Sequence, residues 1–201
     1  MKKSNRRVDG KYSEYFYDQQ ETIDNEGISK IIVKGEFVDN VIVKEGDVDK
    51  IYINLHGKCI ANNVFKMEPR VEDGNKLTIM FKNHNIVIKE RKIELIITVP
   101  RKLILNELRI YCEKSIDVNI YATNMQLFSI FGDIKLYFFA EGDAIADIRT
   151  TKGEIKAFVG NVYCLNMNGN SRYGNILNYH RPEGKNSVLL KAEAFRNITI
   201  Y

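Results

Sequence analysis

From Ile51 to His56 the chain alternates: Ile51, Ile53 and Leu55 fall on one side of an extended backbone, Tyr52, Asn54 and His56 on the other. A period of two marks a half-buried strand. Behind the turn signal Asp73-Gly74, Leu77, Ile79 and Phe81 alternate with Thr78 and Met80 in the same way. Ile93, Leu95, Ile97 and Val99 form the strongest run, ended by Pro100, which has no N–H to give to a ladder. Residues 28–58 add short β-rich runs separated by Gly-Glu and Gly-Asp turn signals. No segment carries a helical stripe over three turns with caps at both ends. The nearest, 101–115, is rich in β-branched and aromatic residues and reads mostly as strand. The pattern predicts an all-β chain.

In the C-terminal half a second, longer period appears. The phrase GDIKLY at 132–137 returns as GEIKAF at 153–158, GNILNY at 174–179 and RNITIY at 196–201. Ile116, Ile134, Ile155, Ile176 and Ile198 are separated by 18, 21, 21 and 22 residues. A period near twenty in β-rich sequence predicts a parallel β-solenoid, β-helix-like, in which each repeat is one coil. Gly132-Asp133, Gly153-Glu154 and Gly174-Asn175 read as corners, where glycine supplies positive φ and the acid or amide bonds nearby backbone. Between the phrases lie second strand-like runs at 127–131, 144–150, 163–168 and 188–195. One coil orders about twenty residues at ~1–2 kcal/mol each, against ~1.5–3 kcal/mol for each buried side chain, so it folds only when stacked. The expected organisation is a flexible basic tail, 1–10, and one domain, 11–201. That domain divides into irregular N-terminal strands, 11–100, and regular coils of about twenty residues, 101–201.

Within the phrase, Ile134, Leu136 and Phe138 share the inward face, as do Ile155, Ala157 and Val159. The opposite parity carries Tyr137, Phe158, Tyr179 and Tyr201, with Asn119 in the first unit. Superposed coils would set the four rings in one column, about 4.8 Å apart, pointing away from the core. Three readings stay open: a ladder that fixes register, a stripe that binds a protein or glycan, or a surface covered by another segment such as the aromatic knot at 12–17. Ile198 and Ile200 are still in strand register at Tyr201. The last strand is therefore expected to pair with an earlier segment or, through a C-terminal edge, with a second copy.

Charge narrows the partners. The net charge is +4, and Lys2, Lys3, Arg6 and Arg7 account for it, leaving 26 basic and 26 acidic residues over 8–201. Nucleic-acid binding needs basic residues clustered on a face, so it is not expected. The tail supports at most a weak contact with a membrane surface. No apolar run is long enough to span a bilayer, and no signal peptide is visible at the start. This predicts a cytoplasmic protein as the sequence stands, with a cell-surface setting only if an export segment has been removed.

Catalytic motifs are missing. Cys59, Cys112 and Cys164 form no C-x-x-C pair and read as reduced, buried thiols. His56, His84 and His180 lack metal-ligand spacing, and no nucleophile elbow, Walker loop or dinucleotide fingerprint occurs. Glu141, Asp143 and Asp147 read as solvated acids, Asp133 and Glu154 as corner residues. The expectation is no enzyme, no cofactor and no metal.

The order of segments resembles the bacterial putative-adhesin family of β-solenoid domains, whose biochemical role is mostly unassigned. The resemblance rests on YFYDQQETI, on the runs from Gly27 to Lys58, on DGNKLTIMF, on IELIITVPRKLILNELRI with its Val99-Pro100, and on the tandem G-[DEN]-I units. It implies a non-catalytic adhesin-like recognition module of unassigned ligand. The alternative is a self-assembling, bactofilin-like structural scaffold.

Overall fold

The alternating pattern produces strands along the whole chain. The computed structural model describes residues 2–7, 11–82 and 85–201; those residues hold eighteen strands and no helix. In chain order they are β1 (Lys2–Arg7), β2 (Ser13–Ile23), β3 (Lys30–Gly35), β4 (Asn40–Gly46), β5 (Ile51–Ala61), β6 (Lys66–Glu72), β7 (Lys76–Lys82) and β8 (Ile88–Pro100). Then follow β9 (Leu105–Cys112), β10 (Ser115–Asn119), β11 (Ala122–Ser129), β12 (Ile134–Phe139), β13 (Ala144–Thr150), β14 (Ile155–Gly160), β15 (Val162–Ser171), β16 (Ile176–Asn178), β17 (Asn186–Ala194) and β18 (Ile198–Ile200). Residues 101–115, the nearest approach to a helical pattern, contain β9.

Two mixed sheets result. One runs β1-β2-β5-β8-β4-β10-β12-β14-β18-β16, the other β15-β17-β13-β11-β9-β3-β7-β6. β1, β2, β5 and β8 pair antiparallel, as do β6 and β7; all the other pairs are parallel. From β9 onward successive strands alternate between the sheets, as parallel pairing demands, since a parallel neighbour is reached only by a crossover. The inward residues of both sheets merge in one apolar core, so the chain is a single domain. Of the segment expected as a flexible tail, Lys2–Arg7 form β1, paired with β2, while Met1 and 8–10 lie outside the described residues. Of the 12–17 knot, Tyr15 and Tyr17 are buried, Tyr17 stacking on Phe65 at 4.5 Å, and Phe16 is exposed; β2 lies far along the sheet from the ring column, so the knot does not cover it.

The five isoleucines do share one row, but not in chain order. Ile116 pairs with Ile134, Ile134 with Ile155, Ile155 with Ile198, and Ile198 with Ile176. β17 and β18 thus insert between the strand pair β13–β14 and the strand pair β15–β16. Composition supplies the reason. The inward residues of β17, namely Val188, Leu190, Ala192 and Ala194, are all buried, whereas in β15 only Val162 at its start is buried and Leu165, Met167 and Gly169 are half-covered. The more apolar pair gains most from being covered on both sides. Asn186 pins the insertion, its Nδ2 donating to the carbonyls of Ala140 (2.7 Å) and Asn161 (3.1 Å). Of the two alternatives for the last strand, pairing with earlier segments is the one observed: β14 and β16 flank β18.

The corners work differently from the expectation as well. Gly132, Gly153 and Gly174 do not have positive φ. Each lies so close to the adjoining backbone that a Cβ would overlap it: at Lys114, at the Gly132 carbonyl and at Arg196 respectively. A hydroxyl three residues upstream completes each corner. Thr150 Oγ1 accepts the Gly153 N–H (3.0 Å) and donates to the Gly132 carbonyl (2.7 Å). Ser171 does the same with Gly174 (3.0 Å) and Arg196 (2.5 Å), and Ser129 with Gly132 and Lys114.

Candidate binding face

The outward face of the first sheet is built by strand parity. Lys44, Asn119, Tyr137 and Phe158 follow one another across β4, β10, β12 and β14. Tyr201 and Tyr179, each one residue past its strand, continue the row. The rings form one stack: Tyr137 on Phe158 at 4.6 Å between centroids, Phe158 on Tyr201 at 4.5 Å, Tyr201 on Tyr179 at 5.8 Å. Their planes diverge by only 5°, 8° and 25°. Backbone bonds hold the terminal ring in line: Tyr201 N–H donates to the Ala157 carbonyl (2.9 Å) and Tyr179 N–H to that of Ile200 (2.7 Å). All four residues predicted to share a column are brought together, with Tyr201 and Tyr179 exchanged in order. Tyr137, Tyr179 and Tyr201 are exposed, and Phe158 is half-buried between its neighbours.

One member of this face was missed in the sequence. Phe139 has the parity of Tyr137, pairs in register with Gly160, and is 66% exposed. A Cβ at Gly160 would touch the Phe139 ring, so the missing side chain leaves the ring room to lie over the neighbouring strand. Asn119, Tyr137, Phe139, Phe158, Tyr201 and Glu183 border a depression of ≈ 400 Å³. The adjoining row holds Asp117, Lys135 and Lys156, so the apolar stack is flanked by solvated charge.

The second sheet carries a larger hollow, ≈ 510 Å³, over Tyr111 and Phe128, stacked at 5.4 Å. Its arginines are engaged: Arg149 forks onto Asp147 at 2.8 and 2.9 Å, and Arg109 pairs with Glu107.

No three metal-ligating side chains gather among the described residues. His56 Nε2 lies 3.3 Å from Glu94, His180 bonds the Val162 carbonyl (3.1 Å), and His84 lies outside the described residues. Asp133 and Glu154 are spent on corners: Asp133 Oδ1 accepts the Glu154 N–H (2.9 Å), and Glu154 accepts from Asn197 Nδ2 (3.3 Å). Cys59 and Cys112 are buried as expected, whereas Cys164 is exposed because it takes the outward parity beside Leu165, in register with the equally outward Ser187. Among the described residues no helix is long and apolar enough to cross a membrane.

No protein-family model matches the chain, and no curated protein matches it. Solved structures do. A putative cell adhesion protein from Clostridium sporogenes is 15% identical, with a TM-score of 0.68 over 92% of this chain and 99% of that one. At that identity the likeness establishes the fold alone. Putative adhesins from Bacteroides fragilis and Parabacteroides distasonis are each 12% identical, covering 93% and 96% of this chain and 97% and 98% of theirs. Their TM-scores, 0.41 and 0.38, are too low to support an argument.

Proposed function

We propose that this chain is a non-catalytic, adhesin-like β-solenoid module that captures a protein or glycan partner on the face formed by Tyr137, Phe139, Phe158, Tyr201 and Tyr179. The solenoid reading is supported by the alternation of β9 to β18 between two sheets and by the shared isoleucine row. The observation that carries the function is the row of outward, stacked rings left open to solvent, with Phe139 beside it. The stack turns its ring edges outward and Phe139 adds a largely uncovered ring, a surface that suits a sugar or an apolar side chain, and its rigidity keeps the entropy cost of capture small. An adhesin-like role places this face outside the cell, which requires export. The adhesion description of the similar Clostridium sporogenes structure supports this reading over a catalytic one.

A glycan array, together with a binding assay on whole bacterial and host cells, tests the proposal. Wild-type protein is expected to bind; Phe139→Ser and Tyr179→Ser are expected to weaken binding about tenfold or more, the loss of one or two good contacts. Melting temperature should barely move, since both side chains are mostly solvated. Undiminished binding by the double variant would overturn the assignment, and so would a complete absence of binding.

A further inference from the structure

Both sheets end on the same strand pair. β15 borders only β17, and β16 borders only β18, among the described residues. An edge strand presents a row of unpaired N–H and C=O groups, and proteins usually blunt it with charge, proline or a covering segment. The opposite rim of the second sheet is blunted in this way: it ends on β6, KMEPRVE, with Pro69 at its centre and a charge at four of its seven positions. β15 lacks the charge and the proline, and only the carbonyl of its first residue, Val162, is met by the segment 179–185, through His180 and Glu183. Its ten residues, VYCLNMNGNS, include no charge and no proline, and β16 is ILN.

The core is also left open at this rim. Ile176 is 43% exposed although its register partner Ile198 is fully buried. Leu165 and Met167 pack on the core but are only partly covered, and Leu177 is exposed. Asn166, Asn168 and Asn170 occupy the outward parity of the same strand, all exposed. A long, uncharged edge backed by exposed core residues is an arrangement that templates strand addition.

We propose that a second copy of this chain adds to this rim through antiparallel β15–β15 pairing, with β16 meeting β16, to give a closed two-fold dimer. A head-to-tail chain of copies is disfavoured, because the rim it would need at the other end carries Pro69 and the charges of β6. A two-fold contact joins the uncharged rim to itself, so no like charges meet. Parity restricts the register. Only pairings in which the two opposed residue numbers sum to an even value put Leu165 and Met167 of both copies on the inner side and the asparagines on the outer. The rim meets the ring face at Tyr179, one residue past β16, so the variants that test the pairing are placed on β15, in the other sheet.

Sedimentation velocity from micromolar to millimolar concentration tests it. Wild type should pass from the 23.3 kDa monomer to twice that mass and stop there. Asn168→Lys, on an exposed outward position, places a cation on the rim and is expected to weaken the dimer about tenfold or more at unchanged circular dichroism. Gln126→Lys, equally exposed but mid-sheet on β11, should leave the dimer intact. A monomer at millimolar concentration would overturn the proposal and leave the rim to another occupant. Mass that keeps growing with concentration, or dimers that survive Asn166→Lys combined with Asn168→Lys, would also overturn it.

Discussion

Gly153 and Gly74 show how one residue type serves two physical ends. Gly74 holds φ +67, and a Cβ added there would meet nothing within 4 Å, so its cost on substitution is backbone strain alone. Gly153 has an ordinary φ but sits against the Gly132 carbonyl, so a methyl group there must push two layers of backbone apart. Gly153→Ala is therefore expected to destabilise by about 2–4 kcal/mol, and Gly74→Ala by only about 1 kcal/mol; urea denaturation of both variants measures the difference. The thiols divide in a similar manner. Burial raises the Cys112 thiol from the ordinary 9.0 to about 11 and raises Cys59 as well, while Cys164 lies exposed on β15. In dilute native protein at pH 8, a thiol reagent is expected to modify one cysteine of three, with the other two reacting only after denaturant is added. The protonated Cys112 thiol contributes stability that is complete below pH 9.0 and is lost as pH rises toward about 11.

At the scale of the element, parity decides which side chains meet. Alternation along β12 and β14 sends Leu136 and Ala157 into the core and Tyr137 and Phe158 out of it. The ring row was legible because each ring stands three residues after an isoleucine of the repeating phrase. Phe139 was legible by the same parity, but without a repeated aromatic at Gly160 the phrase offered no reason to single it out. The corner hydroxyls Ser129, Thr150 and Ser171 also stood in plain view, three residues before each corner glycine. Their role is invisible in one strand pair, since the carbonyl each one satisfies belongs to an adjoining pair. In the β17–β18 unit the register partner of Ser171 is Ala194, and that corner is one residue shorter.

For the whole molecule, the insertion of β17–β18 makes the final strand an interior one. Hydrogen exchange separates this from stacking in chain order. In dilute protein the amides of Ile198 and Ile200 should exchange as slowly as those of β14, while the outer amides of β15 and β16 exchange several-fold faster. Fast exchange in β18 with protection in β16 would show that the units stack in the order of the chain. The segment 179–185 allows the reversal: it contains Pro182 and Gly184, the latter at φ +76, and Glu183 N–H donates to the Val162 carbonyl at 2.9 Å.

Period-two alternation determined that the chain is all-β, and the recurring phrase determined which isoleucines and which rings would share a row. Both are local properties, read over a few residues at a time, because strand parity and corner chemistry act over that distance. The order of the last two strand pairs and the place of the open rim were decided only by the tertiary structure. Those depend on which of two competing pairs buries more apolar surface when covered on both sides, a comparison between segments more than twenty residues apart that no single repeat contains.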